Sequence, residues 1–244
     1  MEFEEFVSRI SFNYIQPDSP LPLGYKHFSN FLDSWFNFSI ESANTIYPEN
    51  DREIKSNILN IRNVPRMSTF AIGAIINFGV KRLQKGQSFV NVGVWNGFTF
   101  LAGILNNPEK HCIGVDNFSE LGGPRKQFLD RFNKMKSKNH IFYDMDYEKY
   151  FSDQHTKKIG FYIYDGEHSY NNQFKGLKVA EPFLADEALV LIDDTNLDAP
   201  RQATLDFVEQ SEYKYQIIFD QRTYCNMHPT FWNGLLLLRK AGEK

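Results

Sequence analysis

The sequence predicts an α/β protein whose core is a doubly wound sheet of about seven strands. From Gln87 onward, short unbroken apolar runs alternate with amphipathic stretches of about ten to fifteen residues, which is the rhythm of strand–helix–strand units. The run Ala188–Ile192 has the continuous apolar character of a parallel strand that helices cover on both faces. Because crossovers between parallel strands are right-handed, such units wind into one layered sheet.

Seven segments carry the strand pattern, and the stretches between them supply the helices. The predicted strands are Ser88–Val94, His111–Asp116, His140–Tyr143, Ile159–Tyr164, Ala188–Ile192, Tyr215–Phe219 and Gly234–Leu238. The predicted helices are Met67–Leu83, Thr99–Leu105, Pro124–Lys136, Tyr170–Leu184 and Pro200–Ser211, of which two begin with a proline suited to a first helical turn. No helical pattern joins the last two strands, so we expect a hairpin-like connection and an antiparallel last strand.

The first 65 residues differ in composition from the rest of the chain. They are dense in aromatic residues, asparagine, serine and proline, and they show no alternating strand pattern. We therefore expect a mainly helical or irregular cap or lid at residues 1–65, followed by the α/β domain at residues 66–244.

The overall composition argues against several kinds of partner. The 27 basic and 30 acidic residues leave a formal net charge of −3, so no positive field favours nucleic acid or anionic lipid. No apolar run approaches the roughly 20 residues of a membrane-spanning helix, and Met1–Glu5 lacks the features of a secretory signal. Cys112 and Cys225 are far apart and lie in apolar segments, so we expect them to be buried and reduced. We expect the protein to remain in the cytoplasm.

A turn with two glycines follows the first predicted strand. Gly93 and Gly97 stand where this strand must turn sharply into a helix, and glycine lets a backbone approach a ligand closely. Asp116, at the end of the next strand, would reach the two ribose hydroxyls of an adenosine cofactor. After the third strand, Asp144 and Asp146 offer carboxylates near the expected adenine amine, but either could instead cap a helix. A simple tight turn and an aspartate without a ligand are the alternative interpretations.

The glycine spacing favours S-adenosylmethionine over a dinucleotide. Three residues separate the two glycines, which differs from Gly-x-Gly-x-x-Gly, and a sulfonium cofactor brings no pyrophosphate to the helix N-terminus. The strand and its turn resemble those of Rossmann-like methyltransferases. In that family the residue at the position of Asn91 is usually acidic and lies near the methionine amino group of the cofactor. Asn91 departs from this pattern, although its amide oxygen could still accept a hydrogen bond.

The fourth and fifth predicted strands end in the residues with the clearest chemistry. Asp165 and His168 follow the fourth strand, and Asp193 and Asp194 follow the fifth. Ligands of open α/β sheets bind beyond the carboxyl ends of the strands, and a right-handed crossover makes these two strands neighbours. We therefore expect the four side chains to meet in the crevice that holds the cofactor.

Three converging carboxylates repel one another unless a cation neutralises them. Oxygen ligands suit Mg²⁺ or another hard divalent cation, which Asp165, Asp193 and Asp194 would hold. The metal would bind a substrate hydroxyl, and His168 would take its proton as general base before the oxygen attacks the sulfonium methyl group. The simpler interpretations are that the Asp-Gly pair forms a turn, the histidine is structural and the acid pair caps the next helix.

The segment Asp165-Gly-Glu-His168-Ser-Tyr170 also resembles a specific family over about residues 86–240. This family is the class I methyltransferases with an Asp-Gly-x-His-x-Tyr motif, which include macrocin- and mycinamicin-type sugar O-methyltransferases and cephalosporin-hydroxylase-like proteins. The acid pair Asp193-Asp194 matches as well. The resemblance implies that the first aspartate and the acid pair bind Mg²⁺ and that the histidine is the base. Catechol-type methyltransferases look similar but have lysine at the position of His168, and the usual Gly-Gly before the fifth strand is missing here.

The expected activity is methyl transfer from S-adenosylmethionine to a hydroxyl of a small polar molecule, such as a sugar or a glycosylated metabolite. One alternative is a module that binds the cofactor without turning it over, as the altered residue Asn91 suggests. Another is a metal-dependent oxygenase-like activity, for which the chain lacks a clear set of two histidines and one carboxylate. The expected partner is a small-molecule hydroxyl acceptor; a homo-oligomer is allowed, whereas nucleic acid and membranes are not expected.

Four further residues are weaker candidates for the site. Trp95, inside the glycine turn, would either line the cofactor site or pack against the first 65 residues. Arg201 would contact substrate or remain a solvated charge at a helix start. Tyr224 and His228 lie between the last two strands, where they would contact substrate if that loop faces the site.

Overall fold

Seven apolar segments form one sheet in this protein, whose computed structural model describes residues 1–244. A separate antiparallel pair near the N-terminus consists of β1 (Ser11–Phe12) and β2 (Thr45–Ile46). The strands of the main sheet are β3 (Gln87–Val92), β4 (His111–Asp116), β5 (His140–Asp144), β6 (Lys158–Tyr164), β7 (Leu184–Asp193), β8 (Tyr213–Gln221) and β9 (Leu235–Glu243). Each of the seven predicted strands overlaps one of these, so the predicted sheet is confirmed.

The order of strands across the sheet is β5-β4-β3-β6-β7-β9-β8. The strands from β5 to β7 are parallel to their neighbours, whereas β9 runs antiparallel between β7 and β8. This arrangement confirms the predicted antiparallel last strand. Leu235, the first residue of β9, pairs with Asp193, the last residue of β7. The loop before β9 therefore arrives at the edge of the sheet where β7 ends.

Ten α-helices and two short 3₁₀ helices surround the sheet. The α-helices are α1 (Phe3–Ser8), α2 (Tyr25–Phe36), α3 (Ile40–Asn44), α4 (Asp51–Ile58), α5 (Phe70–Lys81), α6 (Phe98–Ile104), α7 (Arg125–Met135), α8 (Tyr147–Asp153), α9 (Tyr170–Ala180) and α10 (Asp198–Gln210). The 3₁₀ helices are Leu59–Ile61 and Glu181–Phe183. Helix α8 was not predicted, because its seven residues are too few to show a clear apolar period.

The side chains of β6 show why helices cover both faces of the sheet. Phe161 and Ile163 point to one side, into a core shared with α1, α5, α6 and α7. Tyr162 and Tyr164 point to the other side, into a core shared with α8, α9 and α10. Alternate residues of a strand face opposite sides, so a strand that is apolar throughout requires both layers. Burial of each such side chain contributes roughly 1.5–3 kcal/mol.

Residues 1–65 are mainly helical and share the core of the α/β domain. Phe6 of α1 stacks on Phe78 of α5 with ring centroids 3.8 Å apart, and Phe3 meets Phe161 edge-on at 6.1 Å. Helix α2, in contrast, has no buried residue, and Trp35 on it is 78% exposed. Tyr47, Ile58 and Ile61 are buried in the same core, so the N-terminal segment is attached through α1 and through these later residues. Its role as a lid stays a prediction.

Two expectations from composition concern membranes and disulfides. None of the helices combines the length and apolar character needed to cross a bilayer. Both cysteines are free thiols; Cys112 is buried as expected, whereas Cys225 is only partly buried.

Candidate functional site

A cavity of about 760 Å³ opens beyond the carboxyl ends of the parallel strands. Val92, Asp116, Tyr164 and Asp193, each at the end of a strand, form part of its wall. Open α/β sheets bind their ligands at this edge. The volume lies within the range of small-molecule and cofactor sites, which is roughly 300–1,000 Å³.

The two glycines of the turn after β3 have different roles. Gly93 has a φ of +78°, and a Cβ atom built on it would lie 1.8 Å from the carbonyl oxygen of Asp165. Only glycine therefore lets the end of β3 approach the residue that follows β6 so closely. Gly97 caps α6 with a φ of +99°, and a Cβ there would lie 2.7 Å from the Phe128 ring. Gly93 lines the cavity and Gly97 does not, so Gly97 shapes the turn by close packing.

Asp116 fixes the backbone of this turn. Its Oδ2 atom accepts the N–H groups of Val94 and Trp95, both at 2.8 Å, and its Oδ1 atom accepts the N–H of Phe118 at 2.6 Å. The carboxylate also lies on the cavity wall, as the sequence predicted. Because a carboxylate has about four acceptor positions, contact with a ribose remains compatible with these bonds and stays a prediction.

Asn91 lies inside β3 and is not part of the cavity wall. The side chain is fully buried, and its amide nitrogen donates to the carbonyl of Gly93 at 3.0 Å. Its amide oxygen has no hydrogen-bond partner. Leaving such an acceptor unpaired costs about 1–3 kcal/mol. The predicted contact with a cofactor amino group would supply a donor, and it stays a prediction.

The two acids near the end of β5 are placed differently. Asp146 caps α8, where its Oδ1 atom accepts the N–H groups of Glu148 and Lys149, and it lines the cavity. Asp144 forms an ion pair with Arg125 and does not line the cavity. The capping role that the sequence left open therefore applies to Asp146. The same side chain also lies on the cavity wall.

Trp95 forms part of the cavity wall. Its indole N–H donates to the carbonyl of Leu121 at 3.1 Å, which holds the ring in place. Trp95 thus lies on the cavity wall, as one of the two interpretations expected, and its contact with a cofactor stays a prediction.

Asp165, His168, Asp193 and Asp194 meet at one point of the cavity wall. The Nε2 atom of His168 lies 3.8 Å from Asp165 Oδ1 and 3.6 Å from Asp193 Oδ1. The same nitrogen lies 3.4 Å from Asp194 Oδ2. Ligand atoms of Asp165, His168 and Asp193 are all within 4.8 Å of one another. The structure thus brings together the four residues that the sequence placed at neighbouring strand ends, and we call them the acid cluster.

Burial and mutual repulsion change the proton affinities in the acid cluster. Burial raises the pKa of Asp165 well above its usual range, and the charges of Asp193 and Asp194 raise it further. Burial and the charge of Asp193 raise the pKa of Asp194 to about 6. Burial alone would lower the pKa of His168, but its interactions with Asp193 and Asp194 outweigh this and raise it to about 9. The cluster therefore retains protons unless a cation compensates its negative charge.

The acid cluster has the composition of a divalent cation site. Asp193 Oδ1 and His168 Nε2 are both buried and have no hydrogen-bond partner. Buried polar atoms almost always have one, so these two atoms point to a missing ligand. Carboxylate oxygens suit Mg²⁺ and Mn²⁺, and an imidazole nitrogen beside them is common in sites for transition-metal ions. Asp165, Asp193 and Asp194 fit such an ion, with His168 next to it.

Unfavourable backbone conformations are concentrated around the cavity. Of ten non-glycine residues with a left-handed φ, the six that line the cavity are Trp95, Phe118, Leu121, Asp194, Met227 and Trp232. Each costs of order 1–3 kcal/mol, and such residues collect at functional sites. Asp194 adopts this conformation directly after β7, with a φ of +54°.

The loop between β8 and β9 supplies residues that the sequence analysis missed. Asn226, Met227, Trp232 and Asn233 line the cavity, and Asn233 hydrogen-bonds to the acid cluster. The predicted antiparallel last strand was a usable signal, because such a strand must begin at the edge where β7 ends. The residues preceding it were therefore candidates.

Other residues considered from the sequence lie away from the cavity. His228 is buried, with its ring nitrogens 2.7 Å from Thr230 Oγ1 and 3.1 Å from the carbonyl oxygen of Ser19. Tyr224 is exposed and does not line the cavity. Neither residue therefore lies on the wall of this cavity. The wall also includes Arg66–Ser68, just before α5, for which the sequence gave no signal.

Arg201 forms an ion pair with Asp220 of β8. Its guanidinium donates to both carboxylate oxygens of Asp220, at 2.8 and 2.6 Å, and it does not line the cavity. Arg201 is therefore a paired charge away from the cavity, and a contact with substrate has no support from its position.

Comparison with known proteins places this site in a family context. Residues 90–195 match a family model described as a methyltransferase domain. The matched segment runs from β3 to just beyond the acid pair after β7, so it contains both the glycine turn and the acid cluster. No curated protein matches the chain.

Solved structures with a similar fold include enzymes captured with their cofactor. The O-methyltransferase TomG from Streptomyces achromogenes, involved in tomaymycin synthesis and solved with S-adenosylmethionine, is 10% identical with a TM-score of 0.54, over 88% of this chain and 96% of that chain. An O-methyltransferase from Bacillus cereus with S-adenosylhomocysteine is 9% identical with a TM-score of 0.52, over 88% and 97%. Cofactor-bound Rv0187 from MTB is 12% identical with a TM-score of 0.58, over 91% and 98%. These likenesses show the fold, and together with the methyltransferase-domain match over residues 90–195 they support an S-adenosylmethionine-dependent methyltransferase.

Proposed function

We propose that the enzyme is a metal-assisted O-methyltransferase that acts on a hydroxyl of a small polar molecule, with a sugar or glycosylated metabolite as the expected acceptor. One observation carries the proposal. The ligand atoms of Asp165, His168 and Asp193 lie within 4.8 Å of one another, in the same cavity that the turn after β3 lines. A site for a cation and a site for the methyl donor would thus open into one space. Two of the similar structures are described as O-methyltransferases, which supports oxygen as the methylated atom.

The residues of the acid cluster have separate tasks in this proposal. Asp165, Asp193 and Asp194 would hold a cation such as Mg²⁺, which when bound would polarise the acceptor hydroxyl and lower its pKa. His168, adjacent to all three acids, would accept the hydroxyl proton. The acceptor oxygen then bonds to the methyl carbon as the carbon–sulfur bond breaks, which leaves a methyl ether and S-adenosylhomocysteine.

The cofactor would lie along the turn after β3. Gly93 allows close approach to the backbone, and Asp116 keeps the turn rigid through its three N–H contacts. Asp116 and Asp146 would bind the ribose and the adenine amine, respectively, and both line the cavity. Holding the donor and the acceptor in fixed positions contributes most of the rate enhancement in such a transfer.

Calorimetry on Asp165→Asn tests the cation site. We expect S-adenosylhomocysteine to bind wild type and variant alike, within about twofold, because the substitution leaves the turn after β3 intact. Mg²⁺ or Mn²⁺ affinity should fall at least ~10-fold, since loss of even an outer-shell partner costs that much. Asp198→Asn is the matched control, because Asp198 is close in sequence but its side chain is 97% exposed.

Each outcome of this experiment has a distinct meaning. Failure of the wild type to bind S-adenosylmethionine contradicts the proposed function. Cofactor binding without any cation effect removes metal assistance but leaves methyl transfer. Metal-stimulated release of S-adenosylhomocysteine with any acceptor in a panel of hydroxylated sugars and catechols excludes the alternative of a cofactor-binding module, which the unusual Asn91 raised.

A further inference from the structure

Asn233 connects the acid cluster with the loop that precedes β9. Its Nδ2 atom donates to Asp194 Oδ1 at 2.7 Å, and its Oδ1 atom accepts the backbone N–H of Met227, also at 2.7 Å. Its backbone carbonyl accepts the N–H of Asn196 at 2.6 Å. Asn233 thus joins the segment after β7 to the loop before β9, although 39 positions separate it from Asp194.

The bond from Asn233 is the only hydrogen bond that any carboxylate of the acid cluster receives. The side chains of Asp165 and Asp193 accept none, and Asp193 Oδ1 is buried without a partner. The amide occupies Oδ1 of Asp194 and leaves Oδ2 as the oxygen that faces His168 at 3.4 Å. Asp194 is therefore fixed in orientation, whereas the other two carboxylates depend on what binds between them.

The loop holds Asn233 firmly in place. His228 and Trp232 exchange two backbone hydrogen bonds, at 2.9 and 3.0 Å, and buried His228 anchors this turn. A Cβ atom on Gly234 would lie 2.7 Å from Thr195 Oγ1, so the chain after Asn233 passes directly against the residue after Asp194. An amide that is already fixed loses little further freedom when it orients a partner.

We infer that Asn233 is a positioning residue for the cation site. It orients Asp194 for a divalent cation with oxygen ligands, and it couples this carboxylate to the loop that carries Met227 and Trp232 on the cavity wall. The inference rests on the proposed function, because it assigns a role within the proposed cation site. Outer-shell groups that orient a ligand typically change metal affinity by 10–100-fold when removed.

The variant Asn233→Leu tests this role, since leucine has a similar size and removes both side-chain hydrogen bonds. Mn²⁺ is the probe, because it takes oxygen ligands like Mg²⁺ and is visible by electron paramagnetic resonance. In protein saturated with S-adenosylhomocysteine, we expect Mn²⁺ affinity to fall about 10–100-fold. The affinity for S-adenosylhomocysteine without metal should stay within about twofold, because Asn233 does not contact the turn after β3.

Tyr224→Leu is the control in the same loop. The Tyr224 side chain is exposed and does not line the cavity, so its loss should leave Mn²⁺ affinity near the wild-type value. If Asn233→Leu does not fold, as judged by circular dichroism, Asn233→Ala replaces it, because the smaller side chain avoids overpacking and equally removes both bonds.

A double-mutant cycle with Asp194→Asn separates positioning from general loosening of the loop. If Asn233 acts through Asp194, then Asn233→Leu lowers Mn²⁺ affinity in the wild type but causes no further loss in the Asp194→Asn protein. Equal losses in both backgrounds, or wild-type affinity in Asn233→Leu, overturn the inference. A wild-type protein that binds no Mn²⁺ instead contradicts the metal part of the proposed function.

Discussion

Asp116 and Asp165 show how surroundings give two aspartates different properties. Asp116 accepts three backbone N–H groups, which satisfy its carboxylate and make it a fixed part of the turn after β3. Asp165 follows β6, the strand next to β3 in the sheet, and its side chain accepts no hydrogen bond. Burial raises the pKa of this carboxyl well above its usual range. Such differences between neighbouring acids separate structural from reactive groups.

His168→Ala is expected to abolish turnover. A positioned base contributes about 10²–10⁴-fold to the rate, so release of S-adenosylhomocysteine should fall by that factor at saturating acceptor. Cofactor affinity measured by calorimetry should remain near the wild-type value. His27→Ala is the control, because His27 is exposed on α2. A near-normal rate in His168→Ala would mean that another group or bulk water takes the proton.

At the scale of elements, α1 is an integral part of the α/β domain. Phe6 is completely buried between Tyr47 and Phe78, and Phe3 reaches across α5 to the sheet. An element held by such contacts unfolds with the core it packs on. Residues 1–65 are therefore attached by α1 together with buried residues further along, such as Tyr47 and Ile58, even though α2 on the same segment packs no residue into the core.

Phe6→Ala should lower the free energy of unfolding by about 3–5 kcal/mol, the cost of removing a buried phenylalanine. Urea denaturation followed by circular dichroism should still show one transition. Phe28→Ala on α2 is the control and should change stability by no more than about 0.5 kcal/mol, because Phe28 is exposed. Two separate transitions, or a small effect of Phe6→Ala, would show that the N-terminal segment folds independently.

The strands of the sheet were predictable because each one contains a short run of apolar residues that is visible in the sequence. A parallel strand covered on both faces is an apolar run, and all seven predicted runs overlap a strand. Helix α8 escaped prediction because its ends depend on one capping residue, Asp146, within a short polar stretch. Element boundaries likewise shifted where hydrogen bonding continued past the apolar run, as in β7, which begins at Leu184.

For the whole molecule, buried histidines make stability depend on pH. Burial lowers the pKa of His140, His155 and His228 below the unfolded value of about 6.5. The folded state then binds fewer protons than the unfolded state at these three residues, so their contribution to stability is full above about pH 6.5 and is lost as the pH falls towards the lowered values. The raised pKa values of Asp165 and His168 have the opposite sign, so only variants can separate the contributions.

His140→Gln should therefore flatten the pH dependence of unfolding. The His140 ring accepts the Ser137 N–H at 3.0 Å on Nδ1 and pairs with the Asn107 carbonyl on Nε2, so a second proton would break one bond. Denaturation at about pH 7.5 and about pH 5.5 should show a smaller loss of stability in the variant than in the wild type. An equal loss in both proteins would contradict a contribution from His140.

The site as a whole was only partly predictable. Asp165, His168, Asp193 and Asp194 could be placed together because the ends of adjacent parallel strands share one edge. Asn233 and Trp232 were missed, although the predicted antiparallel last strand made the residues before it candidates. Which of these residues reach the cavity depends on the pairing register of β9 with β7, and such a long-range register leaves no periodic signal in the sequence.

The distribution of tryptophans gives the protein a built-in optical probe. The chain has three, of which Trp95 and Trp232 line the cavity, whereas Trp35 is exposed on α2. Replacing Trp35 with phenylalanine would leave tryptophan fluorescence, excited selectively over the twelve tyrosines, that comes only from the cavity wall. Any molecule that fills the cavity then changes the solvent around both emitting rings, so unlabelled compounds could be screened by light emission alone, before the acceptor is known.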